Sequence, residues 1–154
     1  MLNKIVGTIW KNLTPYLRLK IVRATQPKFT VSVAAIIINE NEEVLLLDHV
    51  FRSALSWGIP GGFVNRGEQP EVALKREIRE ETGLELHDLE LFRVQTINRH
   101  IEILFRAQAT GTAEVKSREI KALAWFKVDK MPEQMNEEQK SVVKKVFQIR
   151  HYVQ

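Results

Sequence analysis

The sequence predicts an α+β fold in which helices pack on a mixed β-sheet. Three observations carry that prediction. Two β-rich apolar runs stand at Phe29–Ile38 and Glu43–Leu47, one helix-periodic segment follows at Pro70–Thr82, and a second closes the chain at Glu137–Ile149. Strands and helices interleave along 154 residues, enough for one domain with a substantial core.

The first element is an N-terminal helix. Leu2, Ile5, Val6, Ile9, Trp10, Leu13 and Leu17 recur at three- and four-residue steps, the spacing of an amphipathic helix, and Pro15 breaks or kinks it. Gln26-Pro27 marks a boundary, so residues 1–26 form a basic helical extension and 27–154 the main domain. Phe29–Ile38 is apolar nearly throughout and reads as a buried strand. Asn39-Glu40-Asn41-Glu42 supplies turn chemistry, and Glu43–Leu47 pairs back as a hairpin. Ser56–Phe63 is a Gly/Pro-punctuated loop with room for a short strand.

Pro70–Thr82 starts with proline in its first turn, continues in good helix formers and stops at Gly83. Leu89–Thr96 and Ile101–Ala107 are strands joined through Asn98-Arg99-His100. Lys116–Glu119 is a charged loop, and Ala122–Val128 is the last strand. In the final helix Val142, Val143, Val146 and Phe147 form the apolar face. The chain has no internal repeat and no low-complexity tract.

Composition narrows the function classes. No apolar run approaches the ~20 residues that cross a bilayer. With no cysteine, disulfides and thiolate metal sites are excluded, which suits a reducing, cytoplasmic setting. The net charge is +4, yet residues 1–24 alone carry Lys4, Lys11, Arg18, Lys20 and Arg23 and no acid. The basicity therefore belongs to the N-terminus. That segment admits a packing or dimer-forming helix, a membrane-surface helix with Trp10 and Tyr16 among its cations, a targeting signal, or nucleic-acid contact, in that order. An aromatic-basic platform for nucleic acid is missing.

The chemistry concentrates between Gly62 and Leu84, GFVNRGEQPEVALKREIREETGL. An α-helix advances ~100° per residue, so Glu77, Glu80 and Glu81 share one sector ~100° wide. Three like charges on one face destabilise a helix unless a cation lies among them. Hard divalent ions take such oxygen ligands, and Mg²⁺ prefers a few carboxylates completed by water and substrate phosphate. Arg76 stands beside the cluster, able to hold a carboxylate with its fork, and Glu68 can reach that arginine or the metal. The preceding glycines let backbone approach a ligand closely.

These residues match G-x5-E-x7-R-E-U-x-E-E-x-G-U, with U aliphatic, at every specified position. The segment resembles the Nudix box, and the flanking Trp57-x-x-Pro60-Gly61-Gly62 and Trp125-Phe126 are similar to the family's surroundings. The resemblance implies a Nudix-type α/β/α sandwich. It also implies Mg²⁺-dependent hydrolysis (Mn²⁺ as substitute) of a pyrophosphate linkage in a nucleotide-like small molecule. On it, Glu77, Glu80 and Glu81 bind metal with the Gly61 carbonyl, Arg76 orients them, and Glu68 supports. Family members add a glutamate from the loop before the last central strand; Glu119 is similar to that position, with Glu114 as fallback. Candidate substrate contacts are Arg52, Trp57 and His100, although Trp57 and Trp125 also suit core packing and His100 a solvated turn.

Substrate class is less legible. At the place where many ADP-ribose hydrolases carry a proline stand Arg99 and His100, and the tyrosine of diadenosine-polyphosphate members is absent. What remains is a house-cleaning enzyme for nucleoside di- or triphosphates, oxidised ones included, or for NDP-linked metabolites. ADP-ribose or NDP-sugar hydrolysis and RNA 5′-pyrophosphate removal are the alternatives. A nucleotide-sensing module without turnover is disfavoured, since all the box carboxylates are kept.

Overall fold

The computed structural model describes residues 7–8 and 10–152. Of the expected N-terminal helix, Leu2, Lys4, Ile5, Val6 and Ile9 lie outside the described residues. Residues 7–8 and 10–12 are helical, the chain breaks at Leu13-Thr14, and helix α1 runs Pro15–Thr25. Thr14 caps it through its side-chain oxygen, which accepts from the Leu17 amide, and Pro15 occupies the first turn. The proline thus starts a helix instead of kinking one.

Seven strands follow: β1 (Thr30–Ile37), β2 (Glu43–His49), β3 (Trp57–Gly58), β4 (Gly61–Phe63), β5 (Glu85–Ile97), β6 (His100–Thr110) and β7 (Ile120–Lys127). Helix α2 (Pro70–Thr82) separates β4 from β5, and α3 (Glu137–Tyr152) ends the described chain after a short 3₁₀ turn at Val128–Lys130. The mixed sheet has the order β4-β1-β6-β5, with β1 and β6 parallel and the other pairs antiparallel. A second, antiparallel sheet has the order β3-β2-β7, and an isolated bridge between Ile38 and Val44 joins the two at the β1–β2 hairpin.

The unbroken apolar character of β1 and β2 has a direct cause. Val33, Ala35 and Ile37 face one core with Leu45, Leu47, and α2 residues Ala73, Leu74 and Ile78. Ile36 and Ile38 face the other with Val44, Leu46, Leu104, and α3 residues Val142, Val143 and Val146. Both faces of these strands are covered, so successive side chains are apolar whichever way they point. Each fully buried aliphatic side chain contributes about 1.5–3 kcal/mol. The α/β/α sandwich expected from the sequence is the observed architecture.

Element ends differ from the sequence reading at the longest strands. β5 starts at Glu85 because Glu85, Leu86 and His87 pair with Thr110, Ala109 and Gln108 of β6 before a bulge around Asp88, whose φ is +50°. The loop 56–63 holds two short strands, one in each sheet, and this splits its residues between the two sides of the site.

Candidate active site

Helix α2 positions the acidic face. Ala73, Leu74 and Ile78 are buried against the sheet, which fixes the helix rotation and turns the Glu77–Glu81 edge toward β4. Gly83 ends the helix in the left-handed region, at φ +73°. Beside the second half of the helix, Gly61 lies against β1: a β-carbon there would stand 2.6 Å from the Ala34 Cα. At Gly62 a β-carbon would stand 2.5 and 2.6 Å from the two Glu77 carboxyl oxygens. The glycine pair makes room for backbone on one side and for a carboxylate on the other.

Arg76 organises the carboxylates. Its Nε and Nη2 donate to the two oxygens of Glu68 at 2.9 and 3.0 Å, Nη1 donates to Glu77 Oε1 at 2.7 Å, and Nη2 also donates to the Phe63 carbonyl at 3.1 Å. Glu80 Oε2 lies 3.5 Å from Nη1. Hydrogen bonds from Arg76, then from the Asn65 amide, hold the Glu68 carboxyl down at about 2. The Arg76 fork therefore ties the box's first glutamate to Glu77 in one network, with the planar geometry that a lysine lacks.

Glu81 is of a different kind. It is 8% exposed, and its Oε2 is buried without a hydrogen-bond partner. Burial pushes its carboxyl up to about 7, aided by the charges of Glu77 and Glu119 and opposed by the Gly61 amide and Arg52. Glu119 reaches this neighbourhood because its loop is stapled on both sides. The Lys116 amide donates to the Glu81 carbonyl at 2.9 Å, and the Val50 amide donates to the Glu119 carbonyl at 2.8 Å. Glu114 points its carboxylate at Lys116 instead, 2.8 Å away.

Among the described residues, no three acidic or histidine side chains converge into a preassembled cation cage. Glu77 and Glu80 lie against Arg76, while Glu81 is buried with one oxygen unpaired. The residues still fit a hard divalent ion. A buried, unpaired carboxylate oxygen among acidic neighbours is an electrostatic deficit that a cation would remove. Glu81, Glu77, Glu80 and the Gly61 carbonyl are the oxygen donors available to hold it, and the chemistry of that donor set is what Mg²⁺ prefers.

The other expected residues fall in two places. Arg52 and Trp57 line a cleft of about 340 Å³ with Ile59, Arg93, Glu102 and Asn136. Trp57 stands edge-on to Phe126, with ring centroids 5.1 Å apart. The guanidinium of Arg52 lies against Gly58, and its charge is felt at Glu81, so it links cleft and acidic helix. His100 sits elsewhere, on the β1–β6 seam. Its two ring nitrogens lie 2.8 Å from the hydroxyls of Thr30 and Ser32, and its ring stands edge-on to Phe63.

Sequence reasoning missed several groups. His49 stands next to Arg52 with a buried, unpaired Nε2; burial and then Arg52 lower its pKa to about 4 against the pull of Asp48. Asn136 lines the cleft while its Oδ1 accepts from the Glu138 amide at the start of α3. A helix-capping asparagine is readable from sequence; its position in the cleft is not.

An acidic helix face ordered by an arginine fork, with Arg52 carrying its charge from the cleft to Glu81, is the arrangement the family comparison explains. The chain belongs to the Nudix hydrolase family: its NUDIX domain spans residues 28–146. It is 32% identical over 113 residues to a MutT-like protein of Streptomyces ambofaciens, covering 72% of each chain. It is 33% identical over 107 residues to the 8-oxo-dGDP phosphatase NUDT18 of Danio rerio. That match covers 65% of this chain and only 33% of the longer relative. Among solved structures, the MutT NUDIX hydrolase of Burkholderia pseudomallei superposes with a TM-score of 0.67 at 27% identity, over 77% of this chain and 97% of that one.

Proposed function

We propose that this chain is a Mg²⁺-dependent hydrolase of house-cleaning type, cleaving a pyrophosphate linkage in nucleoside di- or triphosphates, oxidised ones among them. The observation that carries the reading is the buried Glu81 carboxylate with an unpaired oxygen, set between Glu77 and Glu119. Similarity to a MutT-like protein and to an 8-oxo-dGDP phosphatase supports the substrate class.

The chain's own groups divide the work. Arg76 holds Glu68 and Glu77 in fixed orientation, which removes the reorganisation a mobile carboxylate would need during reaction. Arg52, facing both cleft and acidic helix, is placed to neutralise a phosphate whose nucleoside lies along Trp57 and Asn136. A bound divalent ion supplies charge neutralisation of the diphosphate and a more acidic water. Glu81 would help hold that ion, and Glu81 or Glu119 beside it would be the group to take up the proton of the attacking water.

The test is a panel of (d)NTPs, 8-oxo-dGTP, 8-oxo-dGDP, ADP-ribose, NDP-sugars and dinucleoside polyphosphates, assayed with Mg²⁺ and with Mn²⁺ and scored by product. The expected result is preference for a nucleoside di- or triphosphate, with nucleoside monophosphate released. Preference for ADP-ribose or NDP-sugars would move the substrate class, and no turnover of any member by the folded protein would overturn the activity.

A further inference from the structure

Helix α1 is an element that the hydrolase site does not use. It ends at Thr25, ahead of the family domain that begins at residue 28. None of its side chains is buried, and Leu17, Leu19, Ile21 and Val22 are 40–47% exposed. Tyr16 is 65% exposed, with the Lys20 ammonium 4.8 Å from its ring centroid. A contiguous apolar seam left exposed on a helix marks a surface for interaction.

Charge says what that is. The chain has no Asp or Glu before Glu40, while Lys11, Arg18, Lys20, Arg23 and Lys28 all precede it. At ~100° per residue, Leu17, Ile21 and Ala24 fall within about 60° of one another, flanked by Lys20 on one side and Arg18 on the other. The Arg18 guanidinium bends back to the Lys11 carbonyl, so Lys20 and Arg23 are the cations best placed to reach outward from the helix.

We propose that α1 docks the enzyme on an anionic lipid surface. The Leu17–Ile21–Ala24 seam lies in the acyl boundary, the Tyr16 ring sits at headgroup level, and the basic side chains snorkel to lipid phosphates. A nucleic-acid partner would engage the cations and leave the aliphatic side chains wet. A second copy would bring two acid-free cationic helices together with nothing on either to offset the repulsion. An anionic bilayer satisfies the Leu17–Ile21–Ala24 seam and the basic groups at once, while Leu19 and Val22 lie on the opposite side of the helix. Resting on the proposed function, the consequence is an enzyme concentrated at a membrane surface while its site turns over soluble nucleotides.

The experiment is vesicle co-sedimentation of the full chain. Phosphatidylcholine vesicles are compared with vesicles carrying about one-third phosphatidylglycerol, at low salt and at about 0.5 M salt. Two variants, Lys20→Glu/Arg23→Glu and Leu17→Ser/Ile21→Ser, are run beside the parent after matching their thermal unfolding to it. The expected result is binding to the anionic vesicles that weakens roughly tenfold or more in high salt, on neutral vesicles and in each variant. Failure to pellet with anionic vesicles, equal binding to both vesicle types, or undiminished binding by the charge-reversal variant would overturn the proposal. So would a lipid-free dimer that the Leu17→Ser/Ile21→Ser change dissolves.

Discussion

The carboxylate of Glu77 fills the space that a side chain at Gly62 would need, its oxygens 2.5 and 2.6 Å from where a β-carbon would stand. Strand β4 and helix α2 thus meet with a glycine on one side and a glutamate of the acidic helix face on the other. Gly62→Ala must push Glu77 aside and with it the Arg76 Nη1 bond of 2.7 Å. Turnover should fall by about 10²-fold, the cost of displacing a reacting group by about an ångström, while the thermal midpoint changes little. Steady-state kinetics alongside a melting curve separates the two effects.

Glu68 gives the fold an acid dependence. Arg76 holds its folded-state carboxyl at about 2, below the ordinary 4.5 of the unfolded chain. The stability that this pair contributes is fully present above about 4.5 and is lost as pH falls through about 2. Glu68→Gln should flatten that part of the profile. Urea unfolding of parent and variant across this window checks it, and parallel curves would remove Glu68 from the account.

His49 should stay neutral well into acid. Burial, then the Arg52 charge, brings its pKa down to about 4 from 6.5. Because the unfolded chain takes up the proton first, the stability associated with a neutral His49 is whole above about 6.5 and declines as pH drops toward about 4. An NMR titration of the imidazole Cε1 proton, assigned by its loss in His49→Gln, will show the transition near pH 4.

Ile78 is fully buried one residue after Glu77 and packs with Leu74 and β1. Ile78→Ala should cost about 2–5 kcal/mol, by lost burial plus the cavity left behind. Denaturant unfolding measures this directly, and a cost below 1 kcal/mol would mean that the α2–sheet contact is looser than described.

How far the sequence carried depended on whether a feature was local. The acidic face was legible because Glu77, Glu80 and Glu81 lie within five consecutive residues, where helical geometry alone sets their relation. The double-faced strands were legible because covering both sides leaves an unbroken apolar run. Other features required the fold. The cleft draws Ala34, Arg52, Trp57, Arg93, Leu104 and Asn136 from separate elements, and nothing in their spacing announces it. The two-sheet division likewise rests on Trp57–Gly58 and Gly61–Phe63 joining different sheets, a choice that two- and three-residue strands do not signal. Helix α1 shows the reverse case: a helical segment ahead of Gln26-Pro27 is readable, though only Leu17 of the periodic set lies in α1, and that its apolar side chains stay uncovered is a fact of three dimensions.

Turnover by Glu81→Gln tests the account most directly. The amide keeps the shape of the side chain and removes its charge, so the fold should survive. In saturating Mg²⁺ and the best nucleotide substrate, the rate should drop by ~10²–10⁴, the range for losing a positioned acid/base or ligand group. A folded Glu81→Gln protein that turns over at nearly the parent rate would contradict it.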